Sequence, residues 1–302
     1  MSGPDIGASI RARLLKKAKA EGQDFNLILT RYALERLLYR LGSSAHAERF
    51  LLKGALLFDL WFDIPHRPTR DADLLGFGSA EVSALETLFT ELCTLPGEPD
   101  DGIRFQPETV SASEIRKEAN YGGIRITLVG RLAGARCPVQ IDVGFGDAVT
   151  PPPELVDYPT MLPDLPAPRL RAYPRYTVIA EKLEALTSLG IANSRMKDYF
   201  DLWVLATHSE FEGAILTQAI RATFDRRATP IPAGMPFGLS EEFASDGQKQ
   251  IQWRAFLGKN ALEPIELDVV LSLLRQFFGA PLSAAVSGEG WSSSWRSGAG
   301  WK

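Results

Sequence analysis

The chain has 302 residues, a formal net charge of −4 and 45% hydrophobic residues, values that exclude wholesale disorder and give no global signal for nucleic-acid binding. Two cysteines and three scattered histidines exclude a disulfide framework and give no zinc-site spacing. No apolar run is long enough to cross a bilayer and the first residues are not a signal peptide, so we expect a cytoplasmic protein that makes no membrane contact.

The first part of the chain, residues 1–48, carries a helical pattern. Asp24 is a predicted N-cap for a helix in which leucines recur at helical spacing up to Gly42. Basic residues cluster between positions 11 and 19. At helical spacing they are more typical of a solvated helix face than of a phosphate-binding track.

A strand, a glycine turn and a helix are predicted within residues 50–62. Lys53, Gly54 and Ala55 stand where this strand ends and the helix begins. Free N–H groups at the start of a helix attract phosphate, and glycine allows a ligand to approach the backbone closely. Such turns are common and usually structural, so the motif indicates a phosphate site only if other candidate site residues lie close to it.

Two aspartates lie on the next predicted strand. Asp71 and Asp73 are two apart, so their side chains would point to the same face of an extended strand. Neighbouring carboxylates repel each other unless a cation lies between them, and magnesium is usually held by one or two carboxylates plus substrate phosphates. The pair indicates a nucleoside triphosphate site. The alternative is a solvated acidic turn with His66 at its rim.

A helix and three strands complete the predicted α/β core, over residues 79–95, 102–110, 122–131 and 138–145. Asp142 lies in the last strand, where an unpartnered charge would be costly to bury. On a strand next to Asp73 it would complete a three-carboxylate cluster able to hold two cations, as in two-metal phosphoryl transfer. Asp147 is the fallback for this position, although its surroundings are more typical of a turn.

A proline-rich stretch, residues 151–175, separates the core, residues 49–150, from a helical part, residues 176–280. It is interpreted as a linker or an extended crossing segment. Helices of the second part are predicted over residues 176–189, 195–207, 211–224, 246–256 and 264–278. The last residues, 281–302, are rich in Ser and Gly and are predicted to be a flexible tail, although its three tryptophans could dock.

Two charged segments mark the helical part. Lys182 follows Glu181 in its first helix, and a lysine near a triphosphate would neutralise charge on the transferring group. Arg195, Asp198 and Asp201 are three apart in turn and line one face of the next helix. On this pattern alone, an ordinary row of ion pairs is the preferred interpretation of the second segment.

The order of these motifs resembles that of the AbiEii/AbiGii family, nucleotidyltransferase-like toxins of bacterial type IV toxin–antitoxin and abortive-infection systems. The matching segments are Leu52-Lys53-Gly54, Arg67-x-Thr69-x-Asp71-x-Asp73, Ile141-Asp142-Val143, Glu181-Lys182-Leu183 and Arg195-x-Lys197-Asp198-x-x-Asp201. Five short motifs in the right order make the resemblance specific. It departs at one place, since the family has Gly-Gly after the lysine and this chain has Gly54-Ala55.

The resemblance implies a polymerase-β-like nucleotidyltransferase core with N-terminal helices and a C-terminal helical domain, and an active site in the cleft between core and helical domain. It implies transfer of a nucleotide from an NTP, with Mg²⁺ or Mn²⁺, to an RNA acceptor. The tRNA 3′ end is the first candidate acceptor, and its modification would inhibit translation and growth. A cognate antitoxin, expected to be a winged-helix regulator, is the implied protein partner.

The implied site residues fall into two groups. Asp71, Asp73 and Asp142 would hold the metal and, with Lys182 and Asp198, carry the catalytic roles. The residues implied in nucleotide binding are Lys53, Gly54, Ala55, Arg67, Thr69, Lys197 and Asp201. Two alternatives stay open: a catalytically weak nucleotide- or partner-binding module on the same scaffold, and a nucleotidyltransferase that modifies a protein or a small molecule.

Overall fold

The computed structural model of the chain describes residues 5–63, 66–115, 122–288 and 291–302. The chain divides into two compact units. Unit 1 contains Met1–Gly146 and Glu154–Ala172, and unit 2 contains Asp147–Pro153 and Tyr173–Lys302. Unit 1 is built on a mixed sheet and unit 2 is mostly helical, so the predicted α/β class with a helical C-terminal part is confirmed.

Two helices precede the sheet, as predicted. α1 covers Ile6–Glu21 and α2 covers Phe25–Gly42. Each begins after an aspartate, Asp5 or Asp24, whose side chain accepts a hydrogen bond from the backbone N–H three residues further on. This bond satisfies a donor that the helix itself leaves unpaired. α2 then buries a broad apolar face, which anchors it to the rest of unit 1.

A seven-stranded mixed sheet forms the core of unit 1. Its strands and the helices between them are β1 (Phe50–Lys53), α3 (Leu56–Trp61), β2 (Ala72–Gly76), α4 (Val82–Thr94), β3 (Ile103–Ile115), β4 (Gly123–Leu132), β5 (Ala135–Phe145), β6 (Glu154–Asp157) and β7 (Arg169–Ala172). The spatial order is β3-β4-β5-β2-β1-β7-β6. β2 pairs with β5, and β1 with β7, in parallel; the other neighbours are antiparallel.

The sheet has an apolar face and a polar face. Along β4, Ile124, Ile126 and Leu128 are buried, whereas the alternate residues Arg125 and Thr127 reach solvent. This alternation is that of a strand covered on one side only. α2 packs against β5 and α4 packs against β3, and each leucine or phenylalanine buried between them contributes about 1.5–3 kcal/mol. The polar face is the one that positions charged side chains.

The turn between β4 and β5 fixes the pairing of these two strands. Ala133 and Gly134 both have positive φ, 44° and 79°, as in the two-residue turns whose twist matches that of a hairpin. The strands then pair residue by residue, and Arg125 lies opposite Asp142. A shift of one strand by one residue would turn its own charge, Arg125 or Asp142, to the apolar face and separate the pair.

The proline-rich stretch contributes extended strands to unit 1, so of the two interpretations of residues 151–175 the linker is corrected and the extended segment is not. Its strands β6 and β7 extend the sheet of unit 1, and β7 pairs with β1 at Leu52 and Ala172. Tyr158, between these two strands, donates a hydrogen bond to Asp59 over 2.8 Å. Because prolines lack the N–H that a ladder needs, the strands are short and their sequence signal is weak.

Unit 2 consists of helices and a small three-stranded sheet. In chain order the elements are α5 (Arg175–Leu189), α6 (Met196–His208), β8 (Phe211–Glu212), α7 (Gly213–Arg226), α8 (Glu241–Ser245), α9 (Gly247–Lys259), α10 (Leu267–Ser287), β9 (Ser294–Arg296) and β10 (Gly300–Trp301). Each predicted helix of this part is present. The short α8 was not predicted, and α10 continues well beyond its predicted end.

The C-terminal segment is ordered structure, so the prediction of a flexible tail over residues 281–302 is wrong for the residues described there. α10 occupies its beginning, and β9 and β10 form a hairpin. Trp295 is buried and donates its indole N–H to the Ala206 carbonyl over 2.8 Å; Trp301 donates to the Phe277 carbonyl over 2.9 Å. Large indole rings with paired N–H groups hold the segment, although its Ser/Gly composition favours disorder.

Among the described residues, α10 is the one helix that is long and apolar enough to cross a membrane by length and composition. The sequence expectation that no run reaches this length is thereby corrected. Val270, Leu271, Leu274 and Phe277 of this helix are fully buried in the core of unit 2. A core helix meets the same criterion, so the hydropathy of α10 is explained by its packing.

Candidate active site

Four charged side chains form one row across the polar face of the unit 1 sheet, here named the charged row. Lys53 of β1 pairs with Asp73 of β2, Asp73 pairs with Asp142 of β5, and Asp142 pairs with Arg125 of β4. Antiparallel partners on one face have Cβ atoms about 4.5–5.5 Å apart, and the parallel strands that carry Asp73 and Asp142 lie about 4.8 Å apart. Two carboxylates therefore stand side by side with a cation at each end. The predicted meeting of Asp73 and Asp142 on adjacent strands is present.

Arg125 holds Asp142 through two parallel hydrogen bonds. Its Nε donates to Oδ1 over 2.8 Å, and its second nitrogen donates to Oδ2 over 2.7 Å. These bonds come first among the causes that raise the pKa of Arg125, and the negative charges of Asp71 and Asp73 add to them. The guanidinium and the three carboxylates thus form one electrostatic cluster. A bidentate pair of this kind fixes the orientation of Asp142.

Asp71 completes the acidic group immediately before β2. Its Oδ1 accepts a hydrogen bond of 2.6 Å from the hydroxyl of Thr69. Asp71 and Asp73 are two residues apart at the start of an extended strand, so both carboxylates face the same side. Thr69, predicted to contact the nucleotide, orients one of them.

Gly54 is required by the close approach of Asp73. The glycine has φ of +76°, and a Cβ added to it would lie 2.7 Å from Cγ of Asp73 and closer still to a carboxylate oxygen. Ala55, in contrast, has helical geometry with φ of −69° and ψ of −27°. The departure from the family's Gly-Gly therefore falls on a residue whose backbone tolerates a side chain. The following helix α3 has six residues and no side-chain cap.

Lys53 reaches across the polar face from β1 toward β5. Its Nζ is 3.9 Å from the position that a Cβ on Gly144 would occupy. Gly144 follows Asp142 by two residues on the same face of β5 and pairs with Leu75 of β2. The missing side chain at position 144 leaves room for the lysine amine beside the two carboxylates.

A Gly54→Ala variant is expected to lose transfer activity by about a hundredfold, because a displacement of about 1 Å at a reacting centre has an effect of this size. The matched control is Gly22→Ala. Gly22 has φ of +63° and nothing within 4 Å of an added Cβ. This variant is therefore destabilised only by the strain of a left-handed alanine, about 1–2 kcal/mol, without a steric clash. Thermal unfolding and transfer kinetics of both variants separate the two effects. Equal activities would contradict the assigned role of Gly54.

The donor set fits one divalent ion. Asp71 and Asp73 offer the hard oxygen ligands that Mg²⁺ and Mn²⁺ prefer, and substrate phosphates and water supply the remaining positions. Within the described part of the chain, no three Asp, Glu, His or Cys side chains are arranged to hold a metal ion. Both oxygens of Asp142 accept hydrogen bonds from Arg125. The aspartate pair is the arrangement that these contacts leave to an ion, whereas Asp142, the third predicted ligand, is bonded to Arg125.

Three other predicted residues line a cavity of about 610 Å³ in unit 1. Ala55, Arg67 and Thr69 form part of its wall, together with the aromatic side chains of Phe62 and Tyr158. This volume lies within the range of small-ligand sites. Because Thr69 also bonds Asp71, the cavity wall is connected directly to the acidic group.

In unit 2, the structure brings Lys182, Asp198 and Asp201 together as buried ion pairs. The Lys182 amine donates to Asp198 over 2.7 Å and to Asp201 over 2.8 Å. The two aspartate side chains have no exposed surface, and 14% of the lysine side chain is exposed. Arg195 adds a contact of 2.7 Å to Asp198. These contacts tie α5 to α6, whereas Lys197 of the same motif is exposed.

Asp147, the fallback for Asp142, belongs to unit 2. Its carboxylate pairs with Arg227 at 3.1 Å, and the same guanidinium pairs with Glu181 and Glu184. Asp147 therefore has a structural partner in the helical unit, and the fold explains it without a catalytic role.

Acid is expected to weaken unit 2 through Asp198. Burial alone would raise the pKa of Asp198, but the positive charges of Lys182 and Arg195 outweigh it, and the pKa lies below its ordinary value. A lowered pKa stabilises the fold above the unfolded-state value of about 3.9, and this stabilisation is lost as pH falls through the folded-state pKa. Urea unfolding between about pH 5 and pH 2 should show this loss, and Asp198→Asn should flatten it. An unchanged pH profile in the variant would contradict the assignment.

Arg125 is the residue that the sequence analysis did not identify. It lies in the segment whose apolar–polar alternation predicted a half-buried strand, and only its partner across the β4–β5 hairpin gives it a role. The tight turn at Ala133 and Gly134 was the available signal, because it sets which residues of the two strands meet.

Comparison with known proteins places the chain in a family. The sequence model of the nucleotidyl transferase AbiEii toxin of type IV toxin–antitoxin systems matches residues 36–273, most of both units. No curated protein sequence matches the chain. The crystal structure of JHP933 from Helicobacter pylori has 14% identity and a TM-score of 0.46, and the alignment covers 83% of this chain and 86% of that one.

A second crystal structure from H. pylori, of a protein named as a nucleotidyltransferase, has the same identity and TM-score and is covered over 89% of its length. The match to the family sequence model over residues 36–273 shows the family of the chain. A type IV system pairs its toxin with an antitoxin, so an antitoxin partner is implied. The chain is a nucleotidyltransferase and belongs to the AbiEii family of type IV toxin–antitoxin toxins, as its motifs predict.

Proposed function

We propose that this nucleotidyltransferase moves a nucleotide from an NTP to a hydroxyl of an RNA, first of all the 3′ end of a tRNA, and thereby inhibits translation and growth. The observation that carries the proposal is the charged row, with Asp71 beside it. Two neighbouring carboxylates flanked by a lysine and an arginine form a site for a metal-bound triphosphate and an attacking hydroxyl.

Asp71 and Asp73 would hold a single Mg²⁺ or Mn²⁺. Such an ion, when bound, neutralises charge on the triphosphate and on the group being transferred. Thr69 keeps Asp71 oriented, and Gly54 leaves room for Asp73. The protein contributes mainly positioning and electrostatic stabilisation, as is general for phosphoryl transfer.

In the proposed reaction the acceptor hydroxyl oxygen bonds to the α-phosphorus of the NTP. The bond from that phosphorus to the oxygen bridging the β-phosphate breaks, and pyrophosphate leaves with the electron pair. Asp142 accepts the proton of the hydroxyl. We assign Asp142 to this role, one of the two predicted for it: Arg125 orients its carboxylate, and each oxygen keeps a second lone pair that can accept the proton. Lys53 stabilises the negative charge that develops on the transferring group.

The cavity lined by Ala55, Arg67 and Thr69 would receive the nucleoside part of the NTP. Its aromatic wall suits a base, and its connection to Asp71 through Thr69 directs the triphosphate toward the metal-binding pair. Arg67 would contact phosphate from the cavity wall, because a guanidinium matches the geometry of phosphate oxygens.

For unit 2 we propose two separate roles. The exposed Lys197 contributes positive charge toward a polyanionic substrate. Lys182, with Asp198 and Asp201, supports the helical unit through its ion pairs, and its charge also stabilises the transferring group. Loss of the ion pairs would lower the stability of unit 2, whereas loss of the charge on the transferring group would lower transfer only. Mutation can therefore separate the two roles of Lys182.

Incubation of purified protein with α-³²P-labelled NTPs tests the function. Total RNA, RNA depleted of tRNA, and protein alone serve as acceptors, one NTP at a time. Label in the tRNA fraction that depends on added Mg²⁺ or Mn²⁺ supports the proposal. Label only on protein, or only on a small molecule, would overturn the RNA acceptor.

Expression in bacteria supplies the cellular test. We expect the protein to act in the cytoplasm, where translation takes place, and to arrest growth. Co-expression of the antitoxin, expected to be a winged-helix regulator, should relieve the arrest. If the active protein does not affect growth, the proposal that it inhibits translation and growth is contradicted.

A further inference from the structure

Three arginines line up across the polar face of the sheet at the end distant from Asp142. Arg104 of β3 pairs with Arg131 of β4, and Arg131 pairs with Arg136 of β5. All three side chains are exposed. This set is here named the arginine row. It lies beside the tight β4–β5 turn, whose geometry fixes the pairing.

The fold alone does not account for the arginine row. Like charges directly opposite each other destabilise a strand pair. Arg104 is balanced by Asp100 at 2.7 Å, but Arg131 donates to the neutral side chain of Gln106. Arg136 has no ion-pair partner among the residues that the structure describes. In a chain of net charge −4, this local excess of positive charge is the part suited to a polyanion.

The arginine row and the charged row share one face of the sheet. Arg136 and Asp142 are six residues apart on β5 and point to the same side, a separation of about 20 Å at about 3.3 Å per residue. Polar side chains of Gln140, Thr127 and Ser111, which are paired across the three strands, fill part of the space between. A strand of nucleic acid that rises about 3.4 Å per nucleotide would span this distance with about six nucleotides.

We propose that the arginine row binds the phosphate backbone of the acceptor RNA, several nucleotides away from the hydroxyl that reacts beside Asp142. This inference rests on the proposed function, in which RNA is the acceptor. It adds the place on the protein surface where that RNA binds. Guanidinium groups match phosphate oxygens bidentately, and regularly spaced phosphates suit several arginines at once. A small-molecule acceptor would not reach the row, and an acidic protein surface is the alternative occupant that the experiment must exclude.

The test compares the full-length protein with the double variant Arg131→Gln/Arg136→Gln. The matched control is Lys16→Gln/Lys19→Gln, which removes the same charge from exposed positions on α1. Binding of a fluorescein-labelled 12-nucleotide single-stranded RNA is measured by anisotropy without NTP or metal, at several salt concentrations. Thermal unfolding verifies that each variant is folded. No loss of stability is expected, because the substitutions remove a like-charge contact.

Each phosphate contact with single-stranded nucleic acid contributes a slope of about 0.7 to the dependence of log affinity on log salt. The double variant should therefore show a slope smaller by about 1.4, and the wild type should lose about sevenfold more affinity than the variant between about 50 and 200 mM salt. In transfer assays, KM for RNA should rise in the double variant while KM for NTP stays unchanged. The control variant should match the wild type in the salt slope, in KM for RNA and in KM for NTP.

Affinity and salt slope that are the same in the double variant and the wild type would overturn the arginine row as an RNA site. If labelled RNA still forms in that case, the proposed function stands and only this inference fails. If the wild type binds no RNA and labels a protein instead, both proposals are overturned.

Discussion

Replacing Asp73 with asparagine is expected to reduce nucleotidyl transfer by roughly 10²–10³-fold or more, the usual effect of losing one electrostatic contact to a reacting centre. Asparagine keeps the size of the side chain and its fit against Gly54, but it carries no charge for a metal ion. The fold should be retained, because Asp73 is half-buried on the polar face and its replacement relieves repulsion from Asp142. Expression of this variant should no longer arrest growth.

The matched control for this variant is Asp157→Asn. Asp157 is an exposed aspartate on β6, an edge strand of the same sheet, so the change in charge is identical and the charged row is intact. Transfer is measured with saturating NTP and the preferred RNA, and thermal unfolding is measured in parallel. Full activity in Asp73→Asn would refute its role at the metal, whereas equal losses in both variants would indicate a general effect of charge.

Replacing Lys182 with methionine is expected to destabilise unit 2 strongly. The change removes the amine that contacts both buried aspartates, Asp198 and Asp201, and breaking a buried ion pair by removing one partner costs about 3–5 kcal/mol. In a domain of this size the melting temperature should fall by roughly 10 °C. The control Lys197→Met removes an exposed lysine from the next helix, α6, and should change stability little.

A triple variant separates the two proposed roles of Lys182. Lys182→Met/Asp198→Asn/Asp201→Asn removes both buried carboxylate charges together with the lysine charge that they contact, so stability should recover in large part. If transfer stays low in this stable variant, the lysine also acts on the reaction. If transfer recovers with stability, its role is structural alone, and the catalytic assignment of Lys182 and Asp198 is withdrawn.

The sequence predicts the charged row in part. Asp71 and Asp73 are adjacent in the chain, and strand periodicity is sufficient to place them on one face. The neighbouring position of Asp142 follows from a parallel pairing of β2 with β5 that no local signal specifies. The order of the motifs along the chain indicated Asp142 as a site residue. Arg125 escaped notice because a charge on the polar side of an amphipathic strand is ordinary until the partner strand is known.

Other differences have a common physical origin, because the decisive contacts are distant in sequence. Trp295 is held by Ala206, and β7 is held by β1. In both cases local composition, Ser/Gly in one and proline in the other, favours an irregular chain, while packing against a remote element determines the structure. An ion-pair row of Arg195, Asp198 and Asp201 was expected on one helix, and the structure adds Lys182 from the preceding helix as a partner of both aspartates.

A crystal structure of the wild-type protein with Mn²⁺ and a non-hydrolysable NTP analogue, with the metal located by anomalous scattering, tests the catalytic centre most directly. We expect a manganese peak bonded to Asp71 and Asp73, the triphosphate next to Gly54 and Lys53, and the base in the cavity lined by Ala55, Arg67 and Thr69. A manganese peak and nucleotide bound away from Asp71 and Asp73 would contradict the charged row as the catalytic centre.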